Sequence, residues 1–177
     1  MQVKRRRILN LFIILLLAIA MLSACGKRAM RPQKAVAQFA ELVERGELGD
    51  LSLSIYYPGA YTLTPYPWSV DDIVQALSGD EIVITGSSLE EHRNVFGRLN
   101  ADAVVQVERE SYMDARLYYV FRKGSRNILE VTMWGQNRSI FVNGLEIKEN
   151  AVFYDIVIPF LPQEAVEELQ EYASRTL

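Results

Sequence analysis

Between residues 103 and 148 the chain consists of short segments in which apolar and polar residues alternate, separated by tight turns. Alternation with a period of two is typical of half-buried β-strands. The clearest turn is Asn143-Gly144, the preferred sequence for a two-residue hairpin loop. Because such short connections join antiparallel neighbours, the pattern predicts an antiparallel meander. Its five predicted strands are residues 103–109, 116–122, 128–134, 139–142 and 145–148.

The Asn143-Gly144 loop also determines which residues face each other across the last hairpin. The predicted facing pairs are Val142 with Leu145, Phe141 with Glu146, and Ile140 with Ile147. The aliphatic side chains then share one side of the sheet, while the phenylalanine and the carboxylate share the other. Burying a large apolar side chain contributes about 1.5–3 kcal/mol, so we expect the aliphatic side to face the core.

Apolar residues before the meander recur at helical spacing in several places. The first predicted helix begins at Pro32, and two others begin at capping-box sequences that start at Ser69 and Ser88. Residues 51–57 and 81–85 alternate and are predicted to be strands. This part of the chain is therefore expected to supply helices that cover the sheet.

The part of the chain after the meander has mainly helical patterns. Residues 150–160 fit either a strand or a helix, and we favour a helix capped by Asn150. A final helix is predicted from Pro162. Its inward face is predicted to hold Ala165, Val166, Leu169 and Tyr172. Its solvated face is predicted to hold Glu164, Glu167, Glu168 and Glu171.

Together these elements predict an α+β fold, with helices packed on one face of an antiparallel β-meander, in a single domain over residues 32–177. A helix followed by such a meander resembles the cystatin-like and NTF2-like architectures, by analogy only. Residues 154–162, with the sequence YDIVIPFLP, resemble segments of small lipoproteins of Gram-positive anaerobes. That resemblance implies no particular activity.

The first 26 residues have the layout of an export signal. A cationic stretch at residues 4–7 precedes an apolar run at residues 11–22, and this run is shorter than the roughly 18–20 residues that a membrane span needs. The sequence LSAC at residues 22–25, followed by glycine, resembles the lipobox of bacterial lipoproteins. This resemblance implies cleavage before Cys25 and attachment of a diacylglyceryl group to its thiol.

The resemblance divides the chain into a signal peptide (residues 1–24), a lipid-bearing Cys25 with a short basic linker (residues 25–31), and the domain (residues 32–177). Two fatty acyl chains, such as palmitate, hold a protein stably on a membrane. Positive charge before the apolar run stays in the cytoplasm. The domain is therefore expected outside the cytoplasm, on the cell membrane, with diacylglyceryl-Cys25 as its anchor.

The charge of the domain argues against nucleic acid as a partner, and its cysteine content argues against a disulfide. Removal of residues 1–24 leaves 15 basic and 22 acidic residues, and four of these basic residues cluster at residues 27–34. The rest of the domain is acidic, so nucleic acid, which needs a basic footprint, is not an expected partner. Cys25 is the only cysteine, so the domain is expected to fold without a disulfide.

The sequence contains few residues that suggest catalysis or metal binding. His92 is the single histidine, and its position along the apolar stripe of the third predicted helix favours a packing role. The adjacent acids at residues 71–72 and 90–91 fall in first turns of predicted helices, where negative charge is favourable. We therefore expect no metal, no cofactor and no enzymatic activity. A carboxylate-dependent hydrolase of cell-envelope polymers is the alternative, because acidic residues are plentiful.

Residues 56–68 form the most unusual segment, with three prolines and five aromatic residues. Rigid, partly exposed aromatic rings bind ligands well because they offer a large contact area at a low entropic cost. The candidate ligand-binding residues are Tyr57, Tyr61, Tyr66 and Trp68. A structural crossover whose rings cover the core is the alternative interpretation. We expect a non-enzymatic binding or envelope-accessory module, with an envelope glycan or protein as its partner.

Overall fold

A computed structural model of the chain describes residues 30–108, 110–134 and 138–174. Within this part of the chain, six strands form one antiparallel sheet with the order β2-β1-β3-β4-β5-β6. The strands are β1 (Leu51–Tyr56), β2 (Ile82–Thr85), β3 (Leu117–Lys123), β4 (Arg126–Met133), β5 (Ile140–Val142) and β6 (Leu145–Ile147). Strands β3 to β6 form a meander, and helices accompany it. The predicted α+β class is confirmed.

The helix ends follow local sequence chemistry. The described α-helices are α1 (Pro32–Arg45), α2 (Val70–Ala76), α3 (Ser87–Glu91), α4 (Arg93–Phe96), α5 (Val152–Asp155) and α6 (Gln163–Ser174). Helix α1 ends at Arg45 and is capped by Gly46, which has the left-handed φ of 70°. At the start of α2, the hydroxyl of Ser69 accepts a hydrogen bond from the amide of Asp72, and the Asp72 carboxylate accepts one from the Ser69 amide. This capping box is the one predicted.

The main core lies on the face of the sheet that α1 covers. Phe39 of α1 packs against Phe121 of β3 with ring centroids 4.5 Å apart, and against Phe96 with centroids 6.0 Å apart. All three rings are fully buried. Alternate residues of the central strands, such as Leu53 and Val131, complete this core. The period of two in the sequence therefore does correspond to an inner face of the sheet.

Helix α2 packs on the opposite face of the sheet. Its Ile73 is fully buried in a cluster with Tyr118 and Val120 of β3, and Tyr56 of β1 stacks on Tyr118 with ring centroids 5.7 Å apart. The sequence pattern placed the helices on one face only. Because β3 carries large apolar side chains on both faces, its second face also needs a cover, and α2 supplies it.

The last hairpin has the predicted register, with the same three facing pairs. Both loop residues have positive φ, 50° at Asn143 and 79° at Gly144, as a type I′ turn requires. Ile140 and Val142 are fully buried, and Ile147 is 1% exposed. The aliphatic side of the hairpin therefore faces the core, as predicted, although Leu145 is only half-buried.

The other side of the same hairpin is covered as well, which the sequence pattern did not indicate. Phe141 and Glu146 are 4% and 7% exposed. The carboxylate of Glu146 accepts hydrogen bonds from the amide of Ser111 and, at 2.9 Å, from its hydroxyl. The hydroxyls of Ser111 and Ser139 also share a hydrogen bond. The segment before β3 thus lies across the outer face and satisfies a buried carboxylate.

Residues 103–108 do not form the first strand of the meander, so that prediction was wrong. The side chain of Asn100 accepts hydrogen bonds from two following amides, at 3.0 and 3.2 Å, and the chain there forms a 3₁₀ turn, Ala101–Ala103. Gln106 then makes only an isolated bridge to Ile147. The place beside β3 is taken by β1, which comes from earlier in the chain.

The third predicted helix is divided into α3 and α4. It begins after Gly86, which has a φ of 56°, so the capping box predicted for Ser88 and Glu91 was wrong. His92, with φ −102° and ψ 15°, separates the two short helices. The residues predicted for the apolar face are nevertheless all buried: Leu89, Phe96 and Leu99.

The C-terminal region is helical, as predicted, but over residues 150–160 it is divided into α5 and a 3₁₀ turn, Ile158–Phe160. Asn150 Oδ1 accepts a hydrogen bond from the amide of Val152 at 3.1 Å, but the N-cap of α5 is Ala151, which makes no side-chain capping bond, so the prediction that Asn150 caps this helix was wrong. Helix α6 begins one residue after Pro162. The residues predicted to face inward are buried or half-buried: Ala165, Val166, Leu169 and Tyr172.

The predicted signal peptide and Cys25 lie outside the described residues. Met30 is the first described residue, and its carbonyl accepts a hydrogen bond from the side chain of Asn143 at 3.2 Å. The start of the domain is therefore held beside the β5–β6 hairpin. In residues 30–108, 110–134 and 138–174, no helix combines the length and the apolar character that crossing a membrane requires.

Candidate functional site: an aromatic cleft

A cleft with a volume of about 350 Å³ opens at the end of the sheet where β1 ends and β3 begins. Four distant segments form the part of its wall that is described: the loop after β1, the residues before β3, the residue after β4, and helix α6. From these segments come three aromatic rings, Tyr61, Trp134 and Tyr172, and one ion pair, Arg116 with Asp114. The cleft therefore combines an aromatic wall with a charged but paired polar group.

Tyr172 lies at the centre of the aromatic wall. Its ring centroid is 4.8 Å from that of Trp134 and 6.0 Å from that of Tyr61. Trp134 is 2% exposed, and its indole N–H donates a hydrogen bond to the hydroxyl of Tyr154 at 2.9 Å. Burial raises the pKa of Tyr172 above its usual value of 10.0. The three rings pack against one another and carry no charge at neutral pH.

The polar side of the cleft is built around Arg116. Its Nη1 donates a hydrogen bond to Asp114 Oδ1 at 2.6 Å, and its Nη2 donates one to the hydroxyl of Thr64 at 2.9 Å. The guanidinium carbon also lies 5.9 Å from the ring centroid of Trp68. The Arg116 side chain is only 11% exposed, so these contacts hold it in one orientation.

Asp114 is likewise held in place. Its Oδ1 accepts hydrogen bonds from Arg116 and, at 3.0 Å, from the amide of Trp68. Within the described chain, both of its hydrogen bonds end on Oδ1, so Oδ2 remains able to accept a hydrogen bond from a ligand. The pair places donors and an acceptor beside the aromatic rings of the cleft wall.

A second carboxylate, Glu168 of α6, fixes the loop that forms the cleft. It accepts a hydrogen bond from the hydroxyl of Tyr57 at 2.5 Å and one from the amide of Tyr61 at 3.3 Å. The Tyr57 hydroxyl in turn accepts one from the amide of Ala60 at 3.1 Å. Burial and the bond to Glu168 raise the pKa of Tyr57. Glu168 was predicted on the solvated face of the last helix, and that prediction was wrong because its partner is a distant loop.

The four aromatic residues proposed from the sequence do not form one platform. Tyr61 lines the cleft and is 43% exposed. Tyr57 is half-buried beneath the loop and packs edge-on against Trp134, and Trp68 packs with the cluster under α2. Tyr66 is exposed but does not belong to the described cleft wall. The segment therefore partly covers the core and partly forms a concave surface.

The sequence did not single out the other cleft residues, Asp114, Arg116, Trp134 and Tyr172. One local signal was available, because Arg116 and Asp114 are spaced two residues apart at the entrance to an apolar strand, where a charged pair is unusual. Trp134 and Tyr172 carry no such signal. Only the tertiary fold brings them to Tyr61.

Two titratable residues outside the cleft, His92 and Asp72, have structural roles. The ring of His92 packs edge-on against Phe160, with centroids 4.8 Å apart, in agreement with the predicted packing role. Hydrogen bonds from Ser69 lower the pKa of Asp72, as its capping role requires. No group of three or more metal-ligating side chains occurs among the residues for which positions are described.

The cleft also bears on the choice between binding and hydrolysis. Acid–base hydrolysis of a glycosidic bond uses two carboxyl groups that face each other about 5–10 Å apart, and the described wall of the cleft contains one, Asp114. Comparison with known proteins gives no further assignment, because no protein-family model, curated protein or solved structure matches the chain. The geometry of the cleft is therefore the main guide to function.

Proposed function

We propose that this protein is a lipid-anchored module on the outer side of the cell membrane that binds a component of the cell envelope without transforming it. The observation that carries the binding role is the cleft, in which Tyr61, Trp134 and Tyr172 stand beside the Arg116–Asp114 pair. The anchoring role is supported by the lipobox-like residues 22–25. Membrane and envelope are then the two partners of the protein.

The cleft is suited to binding because its walls are held in place before a ligand arrives. Glu168 joins the loop of Tyr57 and Tyr61 to α6, and Arg116 is fixed by Asp114 and Thr64. Groups that are already ordered lose little conformational entropy when they bind, so more of the interaction energy appears as affinity. Volumes of about 300–1,000 Å³ are usual for small-ligand sites, and this cleft is at the lower end of that range.

Non-enzymatic binding is favoured over hydrolysis because neither nearby carboxylate is arranged as a free acid or base. Asp114 is paired with Arg116, and Glu168 already accepts hydrogen bonds from Tyr57 and Tyr61. A general acid for glycoside hydrolysis needs a protonated carboxyl group aimed at the bond to be broken. Both carboxylates instead organise the site.

The attachment point is compatible with a domain close to the membrane. Met30, the first described residue, is bound to Asn143 of the β5–β6 hairpin, and it follows Cys25 by only five residues. At ~3.5 Å per residue such a linker reaches less than about 20 Å. The hairpin side would therefore face the lipid surface, and the basic residues at 27–34 would lie near anionic headgroups.

The experiment that tests this function uses the full chain, kept in a detergent without a sugar headgroup and mixed with cell envelopes from which the membrane lipids have been extracted, so that the lipid anchor cannot carry the protein into the pellet. Wild-type protein should sediment with the envelopes, and the double variant Tyr61→Ala, Tyr172→Ala should largely remain in solution. Tyr66→Ala is the matched control, because Tyr66 is exposed and outside the described cleft wall. Equal sedimentation of all three proteins would contradict a binding role for the cleft. Release of soluble envelope fragments by wild type, abolished by Asp114→Asn, would show a hydrolase instead.

A further inference from the structure

We propose that the ligand of the aromatic cleft is an uncharged saccharide, with a sugar ring stacked on Tyr61 and Tyr172 and its hydroxyl groups bound by Asp114 and Arg116. This inference rests on the proposed binding function and names the class of ligand. It follows from the charge, the shape and the hydrogen-bonding groups of the cleft.

The charge of the site disfavours both anions and cations. Arg116, which alone would attract an anion, is paired with Asp114 at 2.6 Å. Arg138, the other cation whose charge is felt at Tyr172, is paired with Glu149 at 3.7 Å. The domain as a whole is acidic, with 22 acidic residues in the chain, and this further opposes an anionic ligand. Asp114, which alone would attract a cation, is neutralised in the same pair.

The shape of the site suits a flat ring with one apolar face. The rings of Tyr61 and Tyr172 meet at an interplanar angle of 66°, so they form two sides of a corner. The C–H face of a sugar ring can lie against the electron-rich face of an aromatic ring. A cleft of about 350 Å³ holds one or two sugar rings. Leu63, which is 97% exposed at its rim, could contact the next ring of a longer chain.

The polar groups suit neighbouring hydroxyls. A sugar hydroxyl both donates and accepts hydrogen bonds, so it is best recognised by a donor and an acceptor placed side by side. Asp114 Oδ2 can accept, and the Arg116 guanidinium beside it carries donors in a fixed plane. Tyr172, which also lines the cleft, has a hydroxyl that can both donate and accept a hydrogen bond. A purely apolar ligand would leave these groups without partners and is disfavoured for that reason.

The test is a titration of the full chain, in a polyoxyethylene detergent, with uncharged tetrasaccharides: those of N-acetylglucosamine, of cellulose type, of maltose type and of mannose. Trp134 lies in the cleft wall, so tryptophan fluorescence reports binding, and calorimetry provides the affinity. We expect saturable binding of at least one of these sugars. Because sugar–aromatic contact supplies much of the energy, Tyr61→Ala should weaken binding about tenfold or more, and Tyr66→Ala should not change it.

Two further measurements distinguish an uncharged ligand from a charged one. Binding of the sugar should be the same at low and high salt, since no net charge is involved. Asp114→Ala should weaken sugar binding and allow poly(glycerol phosphate) to bind, because the guanidinium of Arg116 is then unpaired. Circular dichroism confirms that each variant is folded.

The inference is overturned if none of the tetrasaccharides binds, or if poly(glycerol phosphate) or choline binds to wild type in a manner that depends on Tyr61. In either case, envelope sedimentation that depends on Tyr61 and Tyr172 would leave the proposed function intact. If a sugar binds but is also cleaved, the ligand class is right and the non-enzymatic function is wrong. The two proposals can therefore fail separately.

Discussion

The hydroxyl of Tyr57 donates a hydrogen bond of 2.5 Å to Oε2 of Glu168, a residue 111 positions later in the chain. The same carboxylate accepts a hydrogen bond from the amide of Tyr61. These two contacts join the loop after β1 to the last helix, and the cleft lies between these two elements. The order of the candidate site therefore depends on one partly buried carboxylate.

Replacement of this carboxylate by an amide should loosen the loop. In Glu168→Gln the hydrogen bond from Tyr57 loses its charge assistance, and we expect a loss of about 1–2 kcal/mol in the free energy of unfolding. Hydrogen exchange at residues 59–62 should become faster. Tyr57→Phe should have a similar effect, and the two changes together should cost less than their sum, because they remove the same interaction.

The control for this prediction is Glu167→Gln, the same substitution at the neighbouring residue. Glu167 is exposed and bonded only to Gln163 within its own helix among the described contacts, so its effect should be within about 0.5 kcal/mol. Equal stability and equal exchange rates for the variants at Glu167 and Glu168 would show that Glu168 does not hold the loop.

Alkaline pH should destabilise the protein through its buried tyrosines. Burial raises the pKa of Tyr119 well above the usual value of 10.0 and that of Tyr154 to about 12. The folded state then retains protons that the unfolded state loses, so this contribution is fully present below pH 10.0 and is lost as the pH rises through the folded values. Denaturant midpoints should be constant up to about pH 9 and should fall steadily from about pH 10 to 12.

A variant that lacks one of these hydroxyls should show a weaker alkaline effect. Tyr119 donates a hydrogen bond to the carbonyl of Phe153 at 2.9 Å, so Tyr119→Phe should be less stable at neutral pH and should lose less stability between about pH 10 and 12. Tyr66→Phe, at an exposed position, should follow the wild-type profile. A midpoint that does not change up to about pH 12 would contradict the assigned burial of these hydroxyls.

The buried carboxylate of Glu146 should make Ser111 important for stability. Ser111→Ala removes the hydroxyl that lies 2.9 Å from Oε1, which should cost about 1–3 kcal/mol because a buried acceptor loses a donor. Ser125→Ala, in the exposed turn after β3, should have little effect. Combining Ser111→Ala with Glu146→Leu should recover part of the loss measured by urea unfolding. A Ser111→Ala variant as stable as the Ser125→Ala variant would contradict this account of the outer face.

Two features that depend on neighbouring residues were predicted correctly from the sequence, although the equally local capping box at Ser88 and Glu91 was not. The Asn143-Gly144 loop selects its own turn type and register, and the capping box of Ser69 and Asp72 closes within one turn of helix. In both cases the interacting groups are at most a few residues apart. Local backbone preference therefore determines the result before any tertiary contact forms.

Features that depend on distant residues could not be predicted. Residues 103–109 alternate like a strand, but β1 is the strand that lies beside β3. Alternation of apolar and polar residues can indicate a strand, but it does not show which strands are neighbours in the sheet. Glu168 and Glu146 look like surface carboxylates until the tertiary structure supplies Tyr57 and Ser111 as donors. For the same reason only Tyr61 of the cleft wall was among the residues proposed from the sequence, because the rest of the aromatic and charged wall comes from three other segments, with Asp114, Arg116, Trp134 and Tyr172.

The intact mass of the protein purified from the membranes of a bacterium that expresses the full chain tests the proposed anchor most directly. The proposed function predicts a chain that begins at Cys25 and carries a diacylglyceryl group on its thiol, with or without a further acyl group on its amine. A Cys25→Ala variant should accumulate with residues 1–24 still attached and without lipid. A wild-type protein that retains Met1 and an unmodified Cys25 thiol would contradict the anchor, and with it the proposed position of this domain at the cell surface.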